Sequence, residues 1–292
     1  MLPLADLFVY LYVWIDDALK NRQVIVPDRP GPAPVCSDAE VLTITLARHA
    51  RGVTSENGWL AEVRADWGHY FPHLPAQSEF NRRTRWLVGA FELLHLWLIS
   101  RLPEDGWQQI DTTALPVKHP SAVRGPDGWT TPAGFAADFG FDAAHHEWFY
   151  GFRLGLRTDL GSRLVRAWEI LPAAVNERDA ADDLLDPLQP PAGLLLDRGF
   201  TSRAWAATQA DRGTTVVLAP SRAQRRTMTE AQRRPVAAFR NRIETTNGQI
   251  TENLGLAHHR AHTLHGLLTR TAATICAHTL LTLGWPTMTQ PT

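Results

Sequence analysis

The sequence predicts an α/β protein that carries an all-helical domain at its N-terminus. Up to Leu102, apolar residues recur at helical spacing in several long segments. After Leu102 the chain changes to short β-branched and aromatic runs separated by turn residues, which is typical of strands. Further on, apolar strands and short helices alternate, and this order predicts a sheet that packs against helices. We therefore predict two domains, residues 1–101 and 102–292.

The sequence of the N-terminal domain predicts four helices. The first of them does not resemble a targeting or membrane segment. That segment is apolar, but it contains Asp6, Asp16 and Asp17 and lacks the basic start of a signal peptide. No apolar run in the chain reaches the ~18 residues that a bilayer requires, so we predict no membrane association. The four predicted helices are Leu4–Lys20, Asp38–Gly52, Glu56–Phe71 and Ser78–Ser100.

The sequence of the C-terminal domain predicts three strands, followed by strands and helices in alternation. The apolar run Leu194–Leu196 favours a buried strand, because such runs are typical of strands covered on both faces. The predicted strands lie within Trp107–Val117, Glu147–Thr158, Ser162–Ala173, Gly193–Phe200 and Thr214–Ser221. The predicted helices are Asp179–Leu188, Ser202–Gly213, Pro235 to about Leu254, and His265–Gly284.

Charge is distributed unevenly along the chain, although the net charge is only −1. Between Ser221 and Arg270 there are nine arginines and three glutamates, a local balance of +6. A neutral protein with a basic segment is consistent with nucleic-acid contact. The two cysteines, Cys36 and Cys276, form neither a disulfide framework nor a CxxC pair, which fits a reducing cytoplasm.

Three carboxylates are candidates for chemistry. Asp111 lies inside the first predicted strand, where a charged side chain must face solvent or find a partner. Asp197 ends an apolar strand, and ligands bind at the carboxyl ends of strands in open α/β sheets. Glu244 lies beside the apolar face of the helix predicted from Pro235. Each also has an ordinary explanation: a turn or cap role for the aspartates, and an ion pair with Arg240 for the glutamate.

The combination of the three carboxylates indicates more than each one alone. If they converge at one end of the sheet, they repel one another unless cations neutralise them. Hard carboxylate oxygens suit Mg²⁺ or Mn²⁺. Two such ions can activate a water or hydroxyl nucleophile and stabilise the leaving oxygen of a phosphodiester. The sequence therefore predicts metal-dependent phosphodiester chemistry.

Five segments, in order, resemble the motifs of bacterial insertion-sequence DDE transposases, most of all the insertion-sequence family numbered 982. The resemblance extends from Trp107 to Gly284, and SEFNRR at Ser78–Arg83 is similar to that family's helical N-terminal part. The five segments are IDTT at Ile110–Thr113, FYGFRLGLRTDLG at Phe149–Gly161, LPAAVNERD at Leu171–Asp179, LLDRGF at Leu195–Phe200 and RNRIET at Arg240–Thr245.

The resemblance implies an RNase H-like mixed sheet flanked by helices, with Asp111, Asp197 and Glu244 as the catalytic and metal-binding triad. It implies two Mg²⁺ ions as cofactors, with Mn²⁺ as a substitute. Such enzymes bind the terminal inverted repeats of their own element, cleave its ends and join the freed 3′-hydroxyl to target DNA. A homodimer on double-stranded DNA, in the bacterial cytoplasm at the nucleoid, is the corresponding expectation.

Arginines are the predicted contacts to DNA phosphate. The resemblance gives Arg240 the place of an arginine that contacts phosphate or braces Glu244. Ala237 and Thr251 stand where related transposases often have tyrosine and lysine, so Arg242 or Arg260 could take the place of the lysine. The complete set of predicted DNA-binding residues is Arg82, Arg83, Arg85, Arg225, Arg226, Arg233, Arg234, Arg240, Arg242 and Arg260.

Two other functions remain open on the sequence alone. The first is an RNase H-like, metal-dependent nuclease that hydrolyses DNA without joining strands. The second is a non-catalytic DNA-binding regulator derived from a transposase. The intact triad argues against the second, because a drifting copy can lose a carboxylate through a single base change.

Overall fold

The computed structural model describes residues 2–125, 127–131, 133–142, 146–200, 202–230 and 244–284. Contacts divide the chain into two compact units. The helical unit joins the residues up to Leu102 with those from Gln249 onwards, and the sheet unit runs from Pro103 to Gly248. The sequence predicts the residues after Gln249 in the sheet domain, whereas in the structure they group with the N-terminal helices.

The helical unit is built around its last helix, which packs against two earlier ones. That helix, α9 (Leu264–Leu283), packs on α5 (Val88–Ile99) and α2 (Asp38–Ala50). It buries residues on all sides, among them Leu267, Ile275 and Leu280. No helix in the described part of the chain has both the length and the apolar character needed to span a membrane. The helices are α1 (Leu4–Lys20), α2 (Asp38–Ala50), α3 (Glu56–Asp66), α4 (Gln77–Trp86), α5 (Val88–Ile99) and α9 (Leu264–Leu283).

The predicted helix Ser78–Ser100 is two helices in the structure. Leu87 ends α4 and begins α5, and its φ of −89° and ψ of 13° interrupt the regular helix. Two local contacts accompany the break. The hydroxyl of Thr84 donates a hydrogen bond to the carbonyl oxygen of Phe80, a contact that often bends helices. The amide of Leu87 donates to the carbonyls of both Arg83 and Thr84, which tightens the last turn of α4.

Within its described residues, the sheet unit contains a six-stranded mixed sheet and three short helices, besides the helical residues 244–248. Each of these helices starts at a side-chain cap: Asn176, Ser202 and Ser221 accept hydrogen bonds from the first-turn amides. The strands are β1 (Trp107–Lys118), β2 (Asp138–Asp142), β3 (Glu147–Asp159), β4 (Val165–Pro172), β5 (Gly193–Leu196) and β6 (Thr215–Leu218). The helices are α6 (Glu177–Leu184), α7 (Arg203–Asp211) and α8 (Arg222–Thr227).

The strand order confirms the predicted fold class. β1 lies in the middle, with antiparallel β3 on one side and parallel β5 on the other, and β6 extends the parallel side. The outer edge of β3 is shared, because β2 pairs with its first residues and β4 pairs with Phe152–Thr158. Without β2, which the sequence does not predict, the order β4-β3-β1-β5-β6 is that of an RNase H-like sheet.

The helix predicted from Pro235 to about Leu254 is described only from Glu244. Its residues 235–243 lie outside the described part of the chain. Residues 244–248 are helical, and the chain then continues as a π-helix, Gln249–Asn253. The π-helix ends two residues before Gly255, whose φ of 74° is a left-handed conformation that glycine adopts more readily than other residues.

Candidate active site

The register of two parallel strands determines where Asp111 and Asp197 lie. Ile110 of β1 is paired with Leu196 of β5. Asp111 follows Ile110 and Asp197 follows Leu196, so the two carboxylates occupy neighbouring positions on adjacent strands. Ile110 and Leu196 are buried in one apolar cluster with Phe200, which fixes the strand ends from which the aspartates extend. Because these apolar neighbours are buried and paired, the aspartate that follows each of them is held at the same end of the two strands.

Glu244 lines the same cavity as the two aspartates. The cavity has a volume of about 810 Å³, and its lining includes Asp111, Asp197 and Glu244. Much of the remaining wall is apolar, with Trp107, Leu196, Val217 and Met228 among its residues. The structure therefore brings the three predicted carboxylates to one cavity of the sheet unit, at the end of the parallel strands where α/β proteins bind ligands.

Both carboxylate oxygens of Asp111 accept hydrogen bonds. The backbone amide of Thr112 donates to Oδ1 at 2.9 Å, and Nδ2 of Asn247 donates to Oδ2, also at 2.9 Å. Asn247 lies three residues after Glu244, so one helical turn presents both side chains on the same side. The sequence analysis does not identify Asn247, because an amide whose partner is 136 positions away leaves no local pattern.

Burial and neighbouring negative charges raise the pKa of Asp111 to about 7. Burial is the larger cause, and the carboxylates of Glu177, Asp197 and Glu244 add to it. The hydrogen bond from the amide of Thr112 acts in the opposite direction. Asp111 is therefore poised to exchange a proton near neutral pH, and its charged form is destabilised until a cation approaches.

Glu177 is a fourth carboxylate in this group, and the sequence analysis does not assign it a role. It is the first residue of α6, and burial raises its pKa, with a further contribution from Asp197 and an opposing one from Arg153. Its carboxylate lies directly against the backbone of Gly199, where a Cβ would collide with it. The available signal is its place in Leu171–Asp179, one of the five segments that carry the resemblance.

The donor set of the cavity fits a hard divalent cation, although the groups are not gathered tightly. Every candidate ligand is a carboxylate, and oxygen ligands are those that Mg²⁺ and Mn²⁺ prefer. Neighbouring carboxylates help to raise the pKa of Asp111, and a bound cation would relieve this repulsion between negative charges. Within the described residues, no three Asp, Glu, His or Cys side chains stand close enough to hold an ion together.

The three predicted arginines of α4 have different environments. Arg82 is exposed and makes a two-pronged ion pair with Glu79. Arg83 is buried: it donates to the carbonyl of Cys36 at 2.6 Å and pairs with Asp38 at 2.7 Å. These contacts within the helical unit occupy its guanidinium, which is therefore not available to DNA. We remove Arg83 from the predicted DNA-binding residues. Arg85 is partly buried and lines a second cavity, which lies wholly within the helical unit.

The later predicted arginines are described only in part. Arg226 is exposed at the end of α8, and Arg225 belongs to the same short helix. Arg260 is exposed and lines the same cavity as Arg85. The remaining four, Arg233, Arg234, Arg240 and Arg242, lie outside the described residues.

A family model described as "Transposase DDE domain" matches residues 109–280. This match includes β1 with Asp111, β5 with the following Asp197, and Glu244, and it covers more than half of the 292 residues. The chain belongs to the DDE transposase family. Members of the DDE transposase family cleave and transfer DNA strands, and they generally use divalent metal ions.

Comparisons with individual proteins add little to this assignment. A structure of the piggyBac transposase synaptic complex with hairpin DNA matches 78% of this DDE family member, at 12% identity and a TM-score of 0.38. The match covers 51% of the piggyBac chain, so the present chain spans about half of that relative's length. No curated protein matches the chain.

Proposed function

We propose that this DDE family member is the transposase of an insertion sequence. In this proposal it binds the terminal inverted repeats of its own element, cleaves the element ends and joins the 3′-hydroxyl to target DNA. The observation that carries the proposal is the convergence of Asp111, Asp197 and Glu244 on one cavity of an RNase H-like sheet.

The three carboxylates would hold two Mg²⁺ ions, or Mn²⁺ in their place. When bound, the ions supply a nucleophile activated at neutral pH and charge stabilisation for the leaving oxygen. Asp111 would lose its proton as the cations bind, because their charge favours the ionised carboxylate. Asn247 and the amide of Thr112 hold its two oxygens in place while this happens.

Basic side chains would hold the phosphate backbone of the DNA. Arg225 and Arg226 lie in α8, which follows β6 on the parallel side of the sheet. Arg233, Arg234, Arg240 and Arg242 follow them in the sequence, and Arg82 and Arg260 are exposed in the helical unit. Each phosphate contact of this kind strengthens binding without reading sequence. Two element ends must be joined to one target, so we propose that a homodimer assembles on the DNA.

The decisive experiment uses the purified full chain and a labelled duplex that carries the ends of its own element. Cleavage and end joining are measured with Mg²⁺, with Mn²⁺ and with chelator. The variants are Asp111→Asn, Asp197→Asn and Glu244→Gln, and the matched control is Glu252→Gln, an exposed glutamate outside the cavity. We expect metal-dependent cleavage and joining by the wild type and the control only.

Each other outcome selects a different function. Metal-dependent cleavage without joining would identify an RNase H-like nuclease. Binding of the element ends without cleavage by any form of the protein would identify a DNA-binding regulator. Full activity of the Glu244→Gln variant would contradict the proposed triad.

A further inference from the structure

A second cavity, which we call the arginine cavity, lies wholly within the helical unit. It has a volume of about 400 Å³. Four arginines line it, from three separate parts of the chain: α2, α4, and the segment that leads into and through α9. They are Arg48, Arg85, Arg260 and Arg270. A concave site with this many guanidinium groups is suited to an anion, because Arg binds phosphate and carboxylate groups through several N–H donors.

The positive charge of the arginine cavity is largely uncompensated. Among the described residues, Glu56 is the only carboxylate in its lining. Both its oxygens are engaged: Oε2 accepts from Arg48 at 2.8 Å and Oε1 from Asn81 at 3.1 Å. Four arginines and one glutamate leave a balance of +3. Within the described residues, no carboxylate pairs with Arg85, Arg260 or Arg270, and Nε of Arg85 is buried without a hydrogen-bond partner.

The neighbouring His49 accepts a hydrogen bond from Arg48 but adds no negative charge to the cavity. Its Nε2 faces Nη2 of Arg48 at 2.9 Å and its Nδ1 faces the hydroxyl of Thr274 at 2.9 Å. Burial, together with the charges of Arg48 and Arg270, lowers the pKa of His49 well below its ordinary value, so the ring is neutral. Burial and the like charges of Arg48 and Arg260 also lower the pKa of Arg270, to about 10. The cations therefore repel one another in the absence of an anion.

Three helices begin at the arginine cavity. Its lining includes Ser55 and Glu56 at the start of α3, Gln77 at the start of α4, and Thr263 at the start of α9. The N-terminus of a helix carries partial positive charge and favours anions. Guanidinium groups that share a cavity with three such helix starts are not stabilised by them. The arrangement becomes favourable when a negatively charged group occupies the space between them.

We propose that the arginine cavity binds one phosphate group of the DNA substrate, with Arg85, Arg260 and Arg270 as its ligands. This inference rests on the proposed function, which supplies DNA as the source of phosphate. The cavity is larger than a single phosphate, and its polar wall of Asn57, Gln77 and His262 offers hydrogen bonds to the attached sugar and ester oxygens. The site thus positions the strand by its backbone and does not read bases.

The test measures binding of a labelled duplex by fluorescence anisotropy at several salt concentrations. Arg270→Gln and Arg260→Gln each remove one charge from the cavity. The matched control is Arg22→Gln, because Arg22 is exposed, lies outside the cavity and has a φ of 55°, close to the 50° of Arg260. Circular dichroism melts confirm that each variant is folded, and the exposed Arg260 remains testable if Arg270→Gln is unstable.

We expect each cavity variant to bind the duplex about tenfold or more weakly, since a hydrogen-bonded charge is lost. The slope of log affinity against log salt should fall by about 1, the value for one phosphate contact. Arg22→Gln should match the wild type in both duplex affinity and salt slope, within the error of the measurement. Inorganic phosphate, compared with chloride at equal ionic strength, should raise the melting temperature of the wild type and the control but not of Arg270→Gln.

Two results would overturn the inference. The first is unchanged duplex affinity and salt slope in both cavity variants. The second is that stabilisation by inorganic phosphate depends on Arg270 whereas duplex binding does not. This result would show that the cavity binds a phosphate from a source other than DNA. Either result leaves the proposed function intact if Asp111→Asn still abolishes metal-dependent cleavage. Wild-type protein that neither binds nor cleaves the duplex would instead remove the proposed function, and this inference with it.

Discussion

The side-chain amide of Asn247 donates a hydrogen bond to Oδ2 of Asp111 at 2.9 Å, although the two residues are 136 positions apart in the chain. This contact joins the end of the parallel strands to the helical turn that carries Glu244. Two of the proposed metal ligands are thus positioned relative to each other by an uncharged residue. Such supporting contacts orient ligands and tune their basicity.

Asn247→Ala should weaken metal-dependent cleavage about tenfold, because Asp111 loses one of the two donors that orient it. The pKa of Asp111 should also rise, since the lost hydrogen bond favours the ionised form. Glu252→Ala is the control, as an exposed residue in the adjoining π-helix. Cleavage rates measured against pH and Mg²⁺ concentration test this prediction. An unchanged rate and pH profile in Asn247→Ala would show that Asn247 has only a structural role.

Asp111 should make the stability of the metal-free protein depend on pH. Its pKa in the folded protein is about 7, above the ordinary 3.8. Between these values the folded state keeps a proton that the unfolded state has lost, so the free energy of unfolding decreases as pH rises from about 4 to about 7. Asp111→Asn abolishes this decrease. Its stability relative to the wild type should therefore grow over that range, by an amount on the order of a few kcal/mol at most.

Urea denaturation of wild type and Asp111→Asn, with chelator at pH 5 and pH 8, measures the effect directly. Parallel shifts at both pH values would show that Asp111 does not titrate in this range. Added Mg²⁺ should stabilise the wild type more strongly at pH 8 than at pH 5, because protons compete with the ion for the carboxylate.

Arg83→Ala should destabilise the protein by about 3 kcal/mol. This value is at the lower end of the range for removing one partner of a buried ion pair, because Arg29 still contacts Asp38. The side chain of Arg83 is 3% exposed, whereas that of its neighbour Arg82 is 66% exposed. Arg82→Ala should therefore leave the stability of the protein nearly unchanged. Thermal denaturation of both variants tests the difference. Equal melting temperatures would contradict the structural role given to Arg83.

Gly151→Ala should destabilise the sheet unit by about 1 to 3 kcal/mol. A Cβ at this position of β3 would collide with the carbonyl oxygen of Leu115 and approach the amide of Val117 to 3.0 Å, so backbone atoms of β1 would have to move. The matched control is Gly89→Ala in α5, where a Cβ meets nothing within 4 Å. That substitution should stabilise the helical unit by up to about 1 kcal/mol. Destabilisation by both substitutions in chemical denaturation would contradict the prediction.

The sequence predicts the features that depend on local pattern. The apolar run Leu194–Leu196, with an aspartate directly after it, was sufficient to place β5 and its polar end. The helical spacing of the N-terminal segments was sufficient for their existence, though not for the break at Leu87, which is accompanied by a side-chain hydrogen bond within one turn. Pattern also could not distinguish buried Arg83 from exposed Arg82, because both stand in one arginine-rich turn and differ only in their partners.

Features that depend on distant partners were not predictable in this way. β2 is a five-residue strand with charged ends, and it forms because the first residues of β3 extend beyond β4 and offer an unpaired edge. Asn247 and Glu177 acquire their roles only when the sheet brings Asp111 and Asp197 beside them. The arginine cavity likewise collects residues from both ends of the sequence, and no single segment contains enough of them to indicate a site.

The helical unit is discontinuous, and this has a consequence for synthesis of the protein. The chain leaves that unit after Leu102 and returns to it at Gln249. On the ribosome, the strands from β1 to β6 emerge while α2 and α5 still lack α9, against which they pack. Arg260 and Arg270 emerge later still. The arginine cavity therefore closes only after the strands that carry Asp111 and Asp197 have been made, and a nascent chain acquires its carboxylates before its arginine cavity.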